Sequence, residues 1–392
     1  MHLSALHVVG LVATILLIIG IGVYSGRKVK SAADFSSGGG KAGSWIVCGA
    51  IMGTLVSSQA TIGTAQLAFS YGMSAWWFTL GSGIGCLILA LGYAAPFRRS
   101  GCKTLLQIVS QEYGPTAETA GSIFCSIGIF ISVVAQILGA TALLTTIFPL
   151  NHLSAALISI ALMAFYVIFG GVWGAGMGGV AKLILLYVSA IVGGILVYGL
   201  AHGFSGLLET LESLLVNSPL GSLSDLTTTE SLHQRFTSLV ARGASKDIGS
   251  GLALGMASIL VTDIFARKSK RVKESSRTNL IVTRSTIMVI LVAAVIVAVL
   301  VPGAMINDFG FLSMGLRGAV VFLPMCGGLW LKGKIPGRYA LVSIFAGPIA
   351  VLAGSFLPLP FDALFLGMAV CLVILAVGLA AGKHNSANVP TH

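Results

Sequence analysis

The residues best suited to chemistry lie between positions 53 and 66, where Gly53, Thr54, Ser57, Ser58, Gln59, Thr61, Gly63, Thr64 and Gln66 interrupt an apolar run. Hydroxyl and amide groups at this density can hold a polar solute. Glycines let backbone unwind, and carbonyls freed by unwinding can replace the hydration shell of a small cation. A plainer reading stands beside it: an unbroken helix packing through small residues, with Ser and Thr hydroxyls bonded to their own i−4 carbonyls. Lys182 carries two readings as well. Its ammonium either snorkels to a membrane interface, or points inward, substitutes for a bound cation and takes up and releases a proton.

Other chemistries lack their residues. None of the seven histidines forms an i, i+4 ligand pair, and the Ser, His and Asp residues show no nucleophile elbow. The cysteines at 48, 86, 102, 125, 326 and 371 form no CxxC pair and read as small buried residues. GSGIG (81–85) lies inside an apolar run and GGGKAG (38–43) lacks Walker spacing, so neither is a nucleotide loop. No catalytic residue, organic cofactor or metal other than a coupling ion is expected, and the chain reads as no enzyme.

The elements that must position these groups are membrane helices. The chain is 56% hydrophobic and 9% charged, with a mean hydropathy of +0.97, which excludes a soluble domain. Apolar runs such as ILVAAVIVAVL (290–300) are apolar on every face, which excludes the alternating strands of an outer-membrane barrel. Spans are expected at 5–24, 44–68, 73–96, 118–148, 153–171, 181–203, 246–265, 281–303, 312–331, 339–356 and 362–382, about eleven in all. With the N-terminus outside and the C-terminus inside, every Lys and Arg except Arg235, Arg242, Lys246 and Arg317 falls in a cytoplasmic segment (25–43, 97–117, 172–182, 266–284, 332–338 or the tail). The net charge of +11 therefore reads as topology and contact with membrane lipid, not as a nucleic-acid surface. Two charges near spans are ambiguous. Asp263 reads as an interfacial ion-pair partner of the basic run after it, and Arg317 as a snorkelling cation, with Asp308 as the alternative partner.

Several stretches resemble the sodium:solute symporter family: GVYSGRKVKSAADFSSGGGKAGSW (22–45), the polar second span through AFSYGMSAWW (68–77), VIFGGVWGAGMGGVAK (167–182), GMASILVTDIFARKSKR (255–271) and VVFLPMCGGLWLKGKIPGRYA (320–340). Each pattern is of medium specificity, and their order along the chain matches the family. The resemblance implies an all-α, leucine-transporter-type fold of two five-helix inverted repeats and symport of a small organic solute with Na+ or H+. It places a cation on the backbone of Gly53 and Val56, with substrate near Ser57 and its neighbours Ser58, Gln59 and Thr61. It also implies one membrane domain over 1–392: an extra N-terminal helix (5–24), a first five-helix repeat (44–203), an external loop (204–245), an incomplete or rearranged second half (246–382) and a cytoplasmic tail (383–392).

Two departures from the family stand out. The helix at 246–265 resembles the start of one family span joined to the end of another two spans later, so two spans are expected to be missing, and only Ser250 offers the hydroxyl that completes the family's cation site. Where the family often carries a Thr-Asp pair and then Gln, this chain has Gly178, Gly179 and Lys182. The first departure supports the alternative function, a transport-inactive or sensory membrane module derived by internal deletion.

Overall fold

In a computed structural model, residues 5–27, 43–71, 75–102, 104–206, 209, 276–301, 306–357 and 361–387 are described. Every element among them is helical. In chain order they are α1 (Ala5–Gly26), α2 (Ser44–Leu55), a π-turn (Gln59–Gly63), α3 (Thr64–Tyr71), α4 (Trp76–Ile88), a second π-turn (Leu89–Tyr93), α5 (Ala94–Ser100), α6 (Leu105–Tyr113), α7 (Pro115–Ile147), α8 (His152–Leu200), α9 (Ser276–Leu300), α10 (Ile306–Trp330), α11 (Gly337–Ser355) and α12 (Ala363–Ala387). The expected spans other than 246–265 overlap helices among the described residues, with 44–68 interrupted at 56 and 57 and with 153–171 and 181–203 on one helix; 246–265 lies outside the described residues together with Ser250 and most of 204–245. Six stretches among the described residues are long and apolar enough to cross a bilayer: Trp76–Ser100, Pro115–Ile147, Gly176–Leu200, Ile306–Trp330, Gly337–Ser355 and Ala363–Gly382.

The chain forms two compact units. One comprises Met1–Trp76, Ile137–Ala244 and Ser269–Pro302, and in it α8 packs against α1, α2 and α9. The other comprises Trp77–Gln136, Ser245–Lys268 and Gly303–His392, with α10 packed on α6, α11 and α12. Each unit draws helices from both halves of the sequence.

The second unit shows how helices associate where lipid removes the hydrophobic drive. Cys371 of α12 donates its thiol to the carbonyls of Ala319 on α10 and Ser343 on α11, both at 3.3 Å. A Cβ on Gly367 would lie 2.8 Å from the Gly347 carbonyl, so bare backbone brings α11 and α12 together. The segment expected as a plain cytoplasmic loop at 97–117 contains the short helix α6. Thr104 caps it by accepting from the Gln107 N–H at 3.1 Å. Leu105, Leu106, Ile108 and Val109 then bury one face in the core shared with Val320, Val321 and Met325. Glu112 accepts a hydrogen bond from the Gly333 N–H, fixing the turn that follows α10.

One expectation is corrected. A cytoplasmic turn between two spans was expected at 172–182, but α8 runs unbroken for 49 residues, about 74 Å at 1.5 Å per residue. The segment contains no proline, and glycine weakens a helix without forbidding it. Gly176 and Gly179 of this segment pack against α2.

Candidate functional site

In the first unit, α2 stops at Leu55 because Val56 leaves helical space (φ −80°, ψ 76°) after its N–H closes a last bond to the Met52 carbonyl at 2.8 Å. The chain re-enters helix at the π-turn: the Thr61 N–H donates to the Ser57 carbonyl at 3.2 Å in an ordinary i→i−4 bond, and the Thr64 N–H reaches back five residues to the Gln59 carbonyl. The expected span 44–68 is thus a discontinuous helix with its break at residues 56 and 57. In a continuous helix the Gly53 carbonyl would accept from residue 57. Here it accepts from Lys182 Nζ at 3.4 Å, at the long end of hydrogen-bond range and strengthened by the charge.

The α2–α8 crossing explains why a side chain from α8 reaches that carbonyl. A Cβ on Gly176 would lie 2.7 Å from the Ile46 carbonyl oxygen, and one on Gly179 would fall on the Gly49 carbonyl and 3.2 Å from the Gly53 Cα. Gly49 and Gly53 on α2 thus face Gly176 and Gly179 on α8, a small-residue crossing in which backbones touch. Lys182 follows Gly179 by three residues, close to one helical turn, and so projects along the same face toward the break. Gly176 and Gly179 were expected in a cytoplasmic segment between spans; the four-residue spacing of Gly49 and Gly53 on α2 was the available sign of a packed face.

The other predicted residues divide. Ser57 is buried at 9% exposure and Gln59 at 1%, with Gly63 buried beside them. Gln59 Nε2 has no hydrogen-bond partner among the described residues, a donor held out of water with nothing to bind. Ser58 is half-buried. Thr61 is exposed and its hydroxyl donates to the Ser57 carbonyl at 3.1 Å, as the packing reading expects of a helical threonine. Thr64 likewise donates to the Gln59 carbonyl at 3.3 Å. The structure therefore brings Gly53, Val56, Ser57, Gln59 and Lys182 to one break and spends Thr61 on local backbone.

These groups fit a bound Na+ poorly. The Gly53 carbonyl already faces an ammonium, and a metal ion at the same oxygen would stand against that charge. Among the described residues, no group of three His, Cys, Asp or Glu side chains could hold a metal.

Sequence reasoning misplaced a second basic residue. Arg317, eleven residues into α10, is 5% exposed, so it neither snorkels nor hydrogen-bonds Asp308. Its Nε donates to the Ser313 carbonyl at 3.1 Å and its Nη2 to Ser313 Oγ at 2.8 Å, while that hydroxyl donates to the Gly128 carbonyl of α7 at 2.5 Å. Gly128 leaves room for the stem, since a Cβ there would lie 2.7 Å from Arg317 Cγ.

A discontinuous helix carrying buried polar groups at its break, within a bundle of apolar helices, is the architecture of a secondary transporter. The family follows from comparison: the model of the sodium:solute symporter family matches residues 35–310, and the chain belongs to that family. A solved structure of a Na+-coupled sialic acid symporter, substrate-bound and outward-open, shares the fold with a TM-score of 0.60 at 16% identity, covering 95% of this chain and 97% of that one. The uncharacterized symporter YwcA of Bacillus subtilis (strain 168) is 28% identical over 203 residues, which are 51% of this chain and 39% of the relative. The chain therefore aligns with well under two thirds of that relative's length. Family and fold together make this a multi-pass protein of the plasma membrane.

Proposed function

We propose that the protein is a cation-coupled symporter of a small organic solute, with the Lys182 ammonium standing where a coupling cation would bind and a proton on that amine as the coupling ion. The observation that carries this reading is the 3.4 Å contact between Lys182 Nζ and the Gly53 carbonyl at the helix break. Protonated, Lys182 neutralises the exposed carbonyl dipole. Deprotonated, it loses its charge and keeps only neutral N–H donors, so its hold on the carbonyl weakens. Binding and release of one proton would thus change the break in each cycle. The solute is proposed to lie beside Ser57, Ser58 and Gln59, where the unpartnered amide of Gln59 offers a donor to an oxygen on the solute. Ser250, the hydroxyl that the family resemblance implies, lies outside the described residues. The domain plan of an extra N-terminal helix, a repeat over 44–203 and a rearranged half over 246–382 is a proposal.

The second reading, a membrane module that no longer transports, is favoured by the resemblance of 246–265 to two family spans joined as one. Uptake of labelled amino acids, sugars and short carboxylates into proteoliposomes, with pH and Na+ gradients imposed separately, decides between them. A symporter accumulates at least one solute under one gradient. A transport-inactive module accumulates none.

A further inference from the structure

We propose that Arg317 anchors a small-anion site inside the second unit, one that takes a single carboxylate group or a chloride-sized ion. A guanidinium carries five N–H donors in a planar fork. Two of them go to Ser313, both to neutral acceptors on the preceding turn of the same helix, and three have no partner among the described residues. No carboxylate among the described residues pairs with Arg317, although the side chain is 5% exposed in the interior of α10. Buried charges in membrane proteins are paired or serve ligands. This one has no described pair.

The surroundings are arranged as a fixed mount. Ser313 spends its hydroxyl hydrogen on the Gly128 carbonyl, which turns its lone pair toward Arg317 and leaves no proton to compete for an anion. Gly128 has no side chain, and the space is filled by the arginine stem, so the guanidinium is set from two helices at once. The remaining N–H groups are then pre-aimed, which is the condition under which a fork-shaped donor recognises a carboxylate or a single halide. The charge count limits the ligand. Other basic residues of this unit's described helices and turns, Arg98, Arg99, Lys332, Lys334, Arg338 and Lys383, lie at or near helix ends. One interior positive charge suits a monovalent anion and not a phosphate or sulfate dianion.

This inference rests on α7 and α10 and is independent of the Lys182 reading. Its test uses binding without any gradient, so its failure leaves transport untouched. Purified full-length protein is unfolded thermally in sodium isethionate, which is then replaced stepwise by sodium acetate or sodium chloride at constant ionic strength. The wild type should show a saturable upward shift of about 3 °C or more. A shift with acetate alone identifies a carboxylate site, and one with chloride identifies a site for free inorganic anions; either supports the proposal. Arg317→Lys should keep a weaker response and Arg317→Gln none. If Arg317→Gln does not fold, butanedione labelling of wild-type Arg317, read by mass spectrometry, should be slowed at least about fivefold by the anion that stabilises. A flat wild-type titration, which an internal counter-charge would give, overturns the proposal. So does an equal response in Arg317→Gln, or labelling that neither anion slows.

Discussion

The two units each set a basic side chain against main-chain oxygen, and they do so in opposite ways. Lys182 reaches across to another helix and meets the Gly53 carbonyl, which the break in α2 has released from its helical duty. Arg317 folds back on its own helix, onto a Ser313 carbonyl already engaged in an unbroken turn and a hydroxyl tied to a third residue. The first contact is a single long bond that loss of the ammonium charge would weaken. The second is a clamp held from two sides. A break therefore makes a cation exchangeable, and an intact helix makes it permanent.

Four substitutions and one control probe this difference, beginning with the largest expected effect. Gly179→Val places side-chain carbon on the Gly49 backbone, which no rotamer change can relieve. It should cost about 3 kcal/mol of stability, at the top of the overpacking range, in denaturant titration of reconstituted protein. Gly193→Ala on the same helix, where nothing lies within 4 Å, serves as the control and should stay within about 1 kcal/mol of wild type. Equal losses at both positions would break the claim that α2 and α8 touch through backbone.

Gln59→Met removes a buried donor that has no partner among the described residues, so stability should hold or rise slightly while solute KM increases about tenfold, the worth of one hydrogen bond of about 1.4 kcal/mol. A fall in stability with unchanged KM would show that the amide is structural. Gly128→Ala meets the Arg317 stem and, at 3.0 Å, the Ser313 carbonyl oxygen, and should cost about 1 kcal/mol, less than Gly179→Val because its closest contact is side chain and not backbone. Thr61→Val should change stability by less than about 0.5 kcal/mol and leave uptake intact, because that hydroxyl serves only its own backbone.

Much of this was legible in the sequence for identifiable reasons. A helix carrying Gly53, Ser57, Ser58 and Gln59 in lipid has no cause to stay straight, and it does break, at residues 56 and 57. The apolar runs marked the helices because every face of each run is lipid-tolerant. The continuity of α8 was not legible, since Gly176 and Gly179 have the same composition in a turn as in a packed crossing, and only the partner helix distinguishes the two. Arg317 was misplaced for a related reason. Distance from the helix end can be read from sequence, but the Ser313–Gly128 bond that accommodates its head group cannot.

The central claim is that Lys182 holds the place of the coupling cation at Gly53. Proteoliposomes containing wild type or Lys182→Gln, loaded so that either a pH gradient or a Na+ gradient drives uptake of the accepted solute, test it most directly. The account predicts that a pH gradient alone drives wild-type uptake in Na+-free buffer, and that Lys182→Gln loses about tenfold or more of it along with its pH dependence. Na+-driven uptake that is indifferent to pH and unchanged in Lys182→Gln would contradict it.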